Sequence, residues 1–255
     1  MRLFLAVTPD EAQAASRFKR TLAHVAYRIG PGSTLLRQNL LLLQTRGGLL
    51  SVSDREAPPI GDPETLCGAV LRECGRRNYS GVVLDFEERP KSDRLAFARR
   101  LGQVLAASHR TLYLPESYGE AAQNAVALIC TAMSGGNFTE RLREAAAQRG
   151  GAGRLGLDVQ RLRMDFRLPA RSGQGEPLSQ EDLDRLMERE SPAVFFSQDL
   201  CARYFTYCRN GEAHFVLFDD AGTLTQKVKV GSSLGFSAAF FMWPEVRDIA
   251  GDLFR

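Results

Sequence analysis

A chain of 255 residues, 44% hydrophobic and 25% charged, has ordinary globular composition and enough length for a full core without metal or disulfide staples. Its net charge of +3 is spread along the sequence, and no basic stripe interleaved with aromatics points to a nucleic-acid partner. The five cysteines, Cys67, Cys74, Cys130, Cys201 and Cys208, form no CxxC pair, which fits free thiols in a reducing compartment better than a metal site.

The first apolar run, residues 3–8, is too short for a signal peptide's hydrophobic region and leads straight into Pro9-Asp10-Glu11. No later run approaches the ~20 apolar residues that span a bilayer, so the expectation is a cytoplasmic chain with no membrane partner. Residues 3–8 read as a strand, 11–22 as a helix, and 24–29 and 49–53 as further strands. A helix is predicted at 63–77, with Asp62 as its N-cap and Pro63 in its first turn. Strands follow at 82–86, 111–114, 127–131 and 155–159, with helices between them at 92–108, 120–124 and 139–148. Glycine-rich loops are expected at 150–153 and 172–175, and a helix at 180–188. Tyr204 to Tyr207 and His214 to Phe218 flank Asn210-Gly211, a strong hairpin signal, and a last strand occupies 238–242. Eight strands alternating with helices predict an α/β fold: one (β/α)8 barrel domain over residues 1–255, with a hairpin insertion around 195–230 before the last strand.

The segment from Tyr79 to Pro90 carries the chemistry. Strand alternation puts Gly81, Val83, Asp85 and Glu87 on one face, and Val82, Leu84 and Phe86 on the other. If the second face packs on helices, the two carboxylates point into the barrel at the C-terminal end of the strand, where barrel enzymes hold their catalytic groups. Carboxylates about 7 Å apart on one face suit acid chemistry, because like charge and desolvation keep a proton on one of them. The same spacing also fits two acids paired with surface bases at a strand end.

The segment resembles the strand-four signature of the family 18 glycoside hydrolases, the chitinases and spore-cortex N-acetylglucosaminidases, which ends in Asp-x-Glu. Other stretches resemble that family in order: Leu49 to Asp54, Met164 to Pro169, Tyr204 to Lys229, and Phe240 to Trp243. The resemblance implies that Glu87 is the general acid/base and that Asp85 holds the substrate's own acetamido group, the nucleophile of this substrate-assisted route. It implies a glycan containing N-acetylglucosamine as substrate, no metal or organic cofactor, and Trp243 as a floor for a sugar ring. The chain also departs from the pattern. Ser80 and Val83 stand where the family has Asp and Asp or Asn, Ser53-Asp54 replaces a glycine pair, and Cys130 to Met133 lacks the Met-x-Tyr-Asp of strand six.

Several residues keep two readings. Trp243, the only tryptophan, is a sugar platform or core packing. Tyr27 lines the pocket or packs beside it. Glu116 and Tyr118 line the mouth or belong to an ordinary polar loop, and either Tyr27 or Tyr118 is a candidate to replace the missing tyrosine. Asp165 orients a substrate hydroxyl or caps a turn. The sequence therefore supports a glycosidase on chitin oligosaccharides or peptidoglycan, with a catalytically silent glycan-binding barrel as the alternative. It leaves the oligomeric state open.

Overall fold

The computed structural model describes residues 1–38, 46–169 and 175–254. Strands β1 (Arg2–Val7) and β2 (Thr21–Gly30) lie parallel, and β3 (Thr34–Arg37) folds back antiparallel on the end of β2. The ring continues through β4 (Leu49–Ser53), β5 (Gly81–Asp85), β6 (Thr111–Pro115), β7 (Val126–Cys130) and β8 (Leu155–Val159). The last strand, β14 (Ala238–Met242), pairs with both β8 and β1 and closes eight parallel strands into a barrel. This is the (β/α)8 architecture that the alternating pattern predicts.

Each strand has two faces, so the core has two layers. Inside the barrel, Phe4 stacks on Phe240 with centroids 4.6 Å apart, and Tyr113 meets Phe240 edge-on at 4.9 Å. Arg2 donates to the Tyr113 hydroxyl at 2.7 Å, so the N-terminal end of the barrel is plugged. Outside, the helices cover the apolar backs of the strands. Helix α1 (Ala12–Ser16) precedes β2, α2 (Pro63–Arg77) precedes β5, α3 (Ser92–Ala107) precedes β6, and α4 (Phe138–Gln148) precedes β8. The Asp62 carboxylate accepts the Glu64 amide at 3.0 Å, the cap that the sequence predicts for α2.

Two predicted helices are corrected. The helix expected at 11–22 stops at Ser16, because Lys19 adopts φ 53° and residues from Thr21 onward pair with β1. The helix expected at 120–124 is a short 3-10 turn at Glu116–Ala121. There the Arg149 guanidinium donates to the carbonyls of Gly119, Ala122 and Ala125, taking acceptors that a helix would use.

The insertion is larger than a hairpin. It contains β9 (Arg163–Arg167), β10 (Glu176–Pro177), α5 (Gln180–Glu190), β11 (Phe195–Ser197), β12 (Ala202–Arg209) and β13 (Glu212–Phe218). These form a five-stranded sheet in the order β10-β9-β13-β12-β11. The predicted turn is present: Asn210 at φ 52° and Gly211 at φ 80° join β12 to β13. Leu183 and Leu186 of α5 cover one face of the sheet. Of the loop expected at 172–175, all but Gly175 lies outside the described residues.

Helix α6 (Ala221–Ser233) returns the chain to the barrel; the closing segments are α7 (Trp243–Val246) and α8 (Ala250–Leu253). A fully buried ion pair fixes the insertion at its root. Lys227 of α6 donates to Asp219 at 2.8 Å and to the Thr131 carbonyl at 3.1 Å, both side chains having no exposed surface. Asp219 also accepts the Leu162 amide and the Thr223 hydroxyl, so it joins both ends of the insertion. Asp220 caps α6 in a reciprocal box with Thr223. Among the described residues, no helix is long and apolar enough to cross a membrane.

Removing one member of such a pair leaves a buried charge behind. Lys227→Met is expected to lower the unfolding free energy by roughly 3–5 kcal/mol, and adding Asp219→Leu to recover part of that loss. Urea denaturation of both variants checks this, and a single mutant less stable by under ~1 kcal/mol would remove the pair from this role.

Candidate active site

A cavity of about 450 Å³ opens at the C-terminal end of the barrel. Its walls come from the strands: Val25 and Ser51 from the middle of β2 and β4, and Asp85 of β5, Cys130 of β7, Asp158 of β8 and Met242 of β14 from at or near the strand ends. The segments just beyond β5, β6 and β8 add Glu87, Glu116 and Gln160. The floor is the aromatic layer around Phe240.

Asp85 is the last residue of β5, and Val83, two positions earlier, packs among the inward-facing core residues. Alternation therefore aims the Asp85 carboxylate inward, as the sequence predicts. Glu87 lies just past the strand and is exposed to the cavity. Asp54 accepts the Glu87 amide at 3.0 Å. Burial raises the Asp85 carboxyl from 3.8 to about 6, and the charges of Glu87, Asp158 and Asp54 add to the rise. Burial also pushes the Asp158 carboxyl up, opposed by the Gln160 side chain, which donates to it at 2.7 Å. Two carboxyl groups bordering one cavity, one of them buried and raised to about 6, form a cluster of the kind that acid/base chemistry uses.

Glu116 also reaches the cavity wall, where Arg141 of α4 pairs with it. The other four candidate residues lie elsewhere. Trp243 is 3% exposed and packs in the outer layer, its ring 5.6 Å from that of Phe18. Phe240 and Met242 face inward, so the pleat sends Phe241 and then Trp243 to the helix side. Met242, not Trp243, borders the cavity. Tyr27 is turned outward by a register irregularity between Val25 and Tyr27, where Val25 pairs with Ser51 and Tyr27 with Val52. Its hydroxyl donates to Glu73 of α2 at 2.9 Å and meets the Tyr79 hydroxyl at 3.1 Å.

Tyr118 has no exposed surface; it packs edge-on against Phe86 and donates to the Glu88 carbonyl at 3.3 Å. It supports the segment that bears Glu87 without lining the cavity. Asp165 sits on the insertion sheet, accepting the Tyr207 hydroxyl at 2.6 Å and meeting His214 Nδ1 at 3.0 Å. That cluster fastens β9, β12 and β13 together. No tyrosine lines the cavity among the described residues. Tyr113 lies inside the barrel, but its hydroxyl is engaged by Arg2.

Asp158, Gln160 and Asp54 are the residues that sequence reasoning passes over. Asp158 interrupts an apolar strand at an inward position, which is a readable signal. Asp54 is visible only as a departure from the family's glycine pair, and its contact with Glu87 spans 33 positions.

No family model matches this sequence, and no curated protein matches it. Solved structures do. The spore cortex-lytic enzyme SleL of Bacillus megaterium superposes with a TM-score of 0.67 at 14% identity, over 100% of this chain and 74% of its own. A chitinase of Chromobacterium violaceum gives a TM-score of 0.68 at 15% identity, over 100% and 97%. A mutant class V chitinase of Nicotiana tobaccum, solved in complex with NAG4, gives 0.64 at 12% identity, over 98% of each chain. At these identities the likeness is one of fold: the chain is built on the barrel of chitinases and spore cortex-lytic enzymes.

Proposed function

We propose that this protein is a hydrolase that cleaves glycans containing N-acetylglucosamine, as in chitin oligosaccharides or peptidoglycan. The observation that carries the reading is the placement of Asp85 and Glu87 in one cavity at the catalytic end of the barrel, with the Asp85 carboxyl raised to about 6. In the substrate-assisted route, Glu87 gives its proton to the glycosidic oxygen as the bond to the anomeric carbon breaks. The acetamido oxygen of the substrate forms the new bond to that carbon. Asp85 stabilises the positive oxazolinium. Glu87, now a carboxylate, takes a proton from the water that reopens the ring. The chemistry calls for no metal or organic cofactor, and the five free thiols support a cytoplasmic setting.

A specific observation favours a second reading, a barrel that binds glycans without cleaving them. Val83 stands beside Asp85, and no tyrosine hydroxyl reaches the cavity to hold an acetamido carbonyl. The two readings differ in one assay. Reducing-end release from chitin oligosaccharides and purified peptidoglycan is expected from the wild type and is expected to vanish in Glu87→Gln. Binding without release by either protein, in a folded state, establishes the silent barrel.

The Asp85 proton has a second consequence. Its carboxyl titrates at 3.8 in a solvated chain and at about 6 in the fold, so the folded state holds the proton more tightly. The stability this contributes is complete below pH ~4 and is lost as pH rises through about 6. Asp85→Asn has no such titration. The difference in unfolding free energy between Asp85→Asn and wild type is expected to grow by up to ~3 kcal/mol between pH 4 and pH 7. Denaturant unfolding across that range measures it; a gap that stays constant with pH contradicts the assignment.

A further inference from the structure

Asp54 takes no part in the reaction above, yet it is a carboxylate with no exposed surface, placed directly behind the general acid. Its Oδ1 accepts the Glu87 amide at 3.0 Å, and the Glu88 amide faces the same carboxylate. Its Oδ2 is buried with no hydrogen-bond partner among the described residues. The loop that follows Asp54 is pinned independently of it. Arg94, 1% exposed, donates to Asp93 and to the carbonyls of Ala57 and Pro58, and Asp93 accepts the Ile60 amide. On the other side, Tyr118 donates to the Glu88 carbonyl at 3.3 Å. Residues just beyond β4 and β6, the neighbours of β5 on either side, thus grip the short segment 86–88.

A half-satisfied buried carboxylate is costly, and the site would be more stable with a neutral group in its place. What the carboxylate supplies is a charge-assisted acceptor for one particular amide, stronger than a neutral one. We infer that Asp54 is a positioning residue for Glu87: by holding the Glu87 amide it fixes the peptide that carries the general acid and so sets where that carboxyl points in the cavity. The inference rests on the hydrolase reading of Glu87. Asp54 does not border the cavity, so it acts on the reacting geometry and not on substrate binding. Burial pushes its carboxyl up while the Glu87 amide pulls it down, so protonation of Asp54 weakens the grip. Its charge also contributes, as the smallest of the causes, to the raised Asp85 carboxyl.

The test compares wild type, Asp54→Asn and Asp54→Ala by NMR amide exchange and by kinetics on chitin oligosaccharides. Asn keeps an oxygen for the amide and Ala does not. In Asp54→Ala, the Glu87 amide is expected to exchange at least roughly tenfold faster, and kcat to fall on the order of ten- to a hundredfold with KM unchanged. Asp54→Asn, which keeps the oxygen but not the charge, is expected to fall between wild type and Asp54→Ala in both amide protection and kcat. In wild type alone, the Glu87 amide resonance is expected to move with pH through a midpoint above the ordinary carboxylate range, a movement that Asp54→Asn abolishes. Equal Glu87 exchange in wild type and folded Asp54→Ala, or damage in Asp54→Asn equal to that in Asp54→Ala, overturns the inference. If Asp54→Ala does not fold, the pH titration of wild type against Asp54→Asn decides alone. If wild type shows no turnover, the hydrolase reading falls, while amide exchange and titration still decide whether Asp54 holds Glu87.

Discussion

The constraint on which the rest of this structure depends is the two-residue pleat of strands closed into a ring. In a closed barrel every strand position belongs either to the interior or to the helix layer. A side chain's parity therefore decides whether it can meet a ligand. Asp85, Asp158 and Met242 fall on the inner parity at strand ends and border the cavity. Phe241 and Trp243 fall on the outer parity and become packing. The one irregularity that matters, at Ala26 in β2, changes the phase of the strand and takes Tyr27 out of the barrel.

Below the cavity the interior is dry and aromatic, with Phe4, Tyr113 and Phe240 in mutual contact. Above it the strand ends carry carboxylates, and those on apolar walls are poorly solvated. Burial is accordingly the leading cause of the raised carboxyls of both Asp85 and Asp158, with mutual repulsion second where it contributes at all. Among the described residues, Arg141 pairs with Glu116 at the cavity wall, while Lys227 is committed to Asp219, Arg94 to Asp93 and Arg161 to Asp248. The fold thus separates charges that hold the architecture from charges left free to titrate.

The strands were legible in the sequence because each is a short apolar run bounded by turn residues; residues 49–53, 155–159 and 238–242 match to the residue. The inward aim of Asp85 followed from alternation alone. Of the two readings of Trp243, the pleat favours packing, because it shares its parity with Phe241, and only the family resemblance implies the sugar platform. Of the two readings of Tyr27 the structure gives packing, and the sequence cannot choose between them because a bulge depends on pairing with a neighbouring strand and leaves little local trace. The insertion sheet was underestimated for a similar reason: β9 finds its partner β13 about fifty residues away, and only the hairpin within it has a local signal. The clamp from Asp54 to Glu87 joins two strand ends through a side chain, which no local pattern encodes.

Those placements also bear unequally on the two halves of the proposed reaction. Protonating a leaving oxygen needs one carboxyl held at a fixed angle, and the segment bearing Glu87 is gripped from both neighbouring strands. Turning an acetamido group into a nucleophile needs donors for its carbonyl, and Tyr27, Tyr79, Tyr113 and Tyr118 are engaged with Glu73, Arg2, the Glu88 carbonyl or one another. For the proposed reaction, the acid half is therefore the better furnished half. With its carboxyl at about 6, Asp85 is largely ionised at neutral pH and can only accept hydrogen bonds, whereas below that value it carries a proton and becomes a donor itself. The protonation state of one inward-facing aspartate thus decides whether the cavity wall offers a donor or an acceptor at that point.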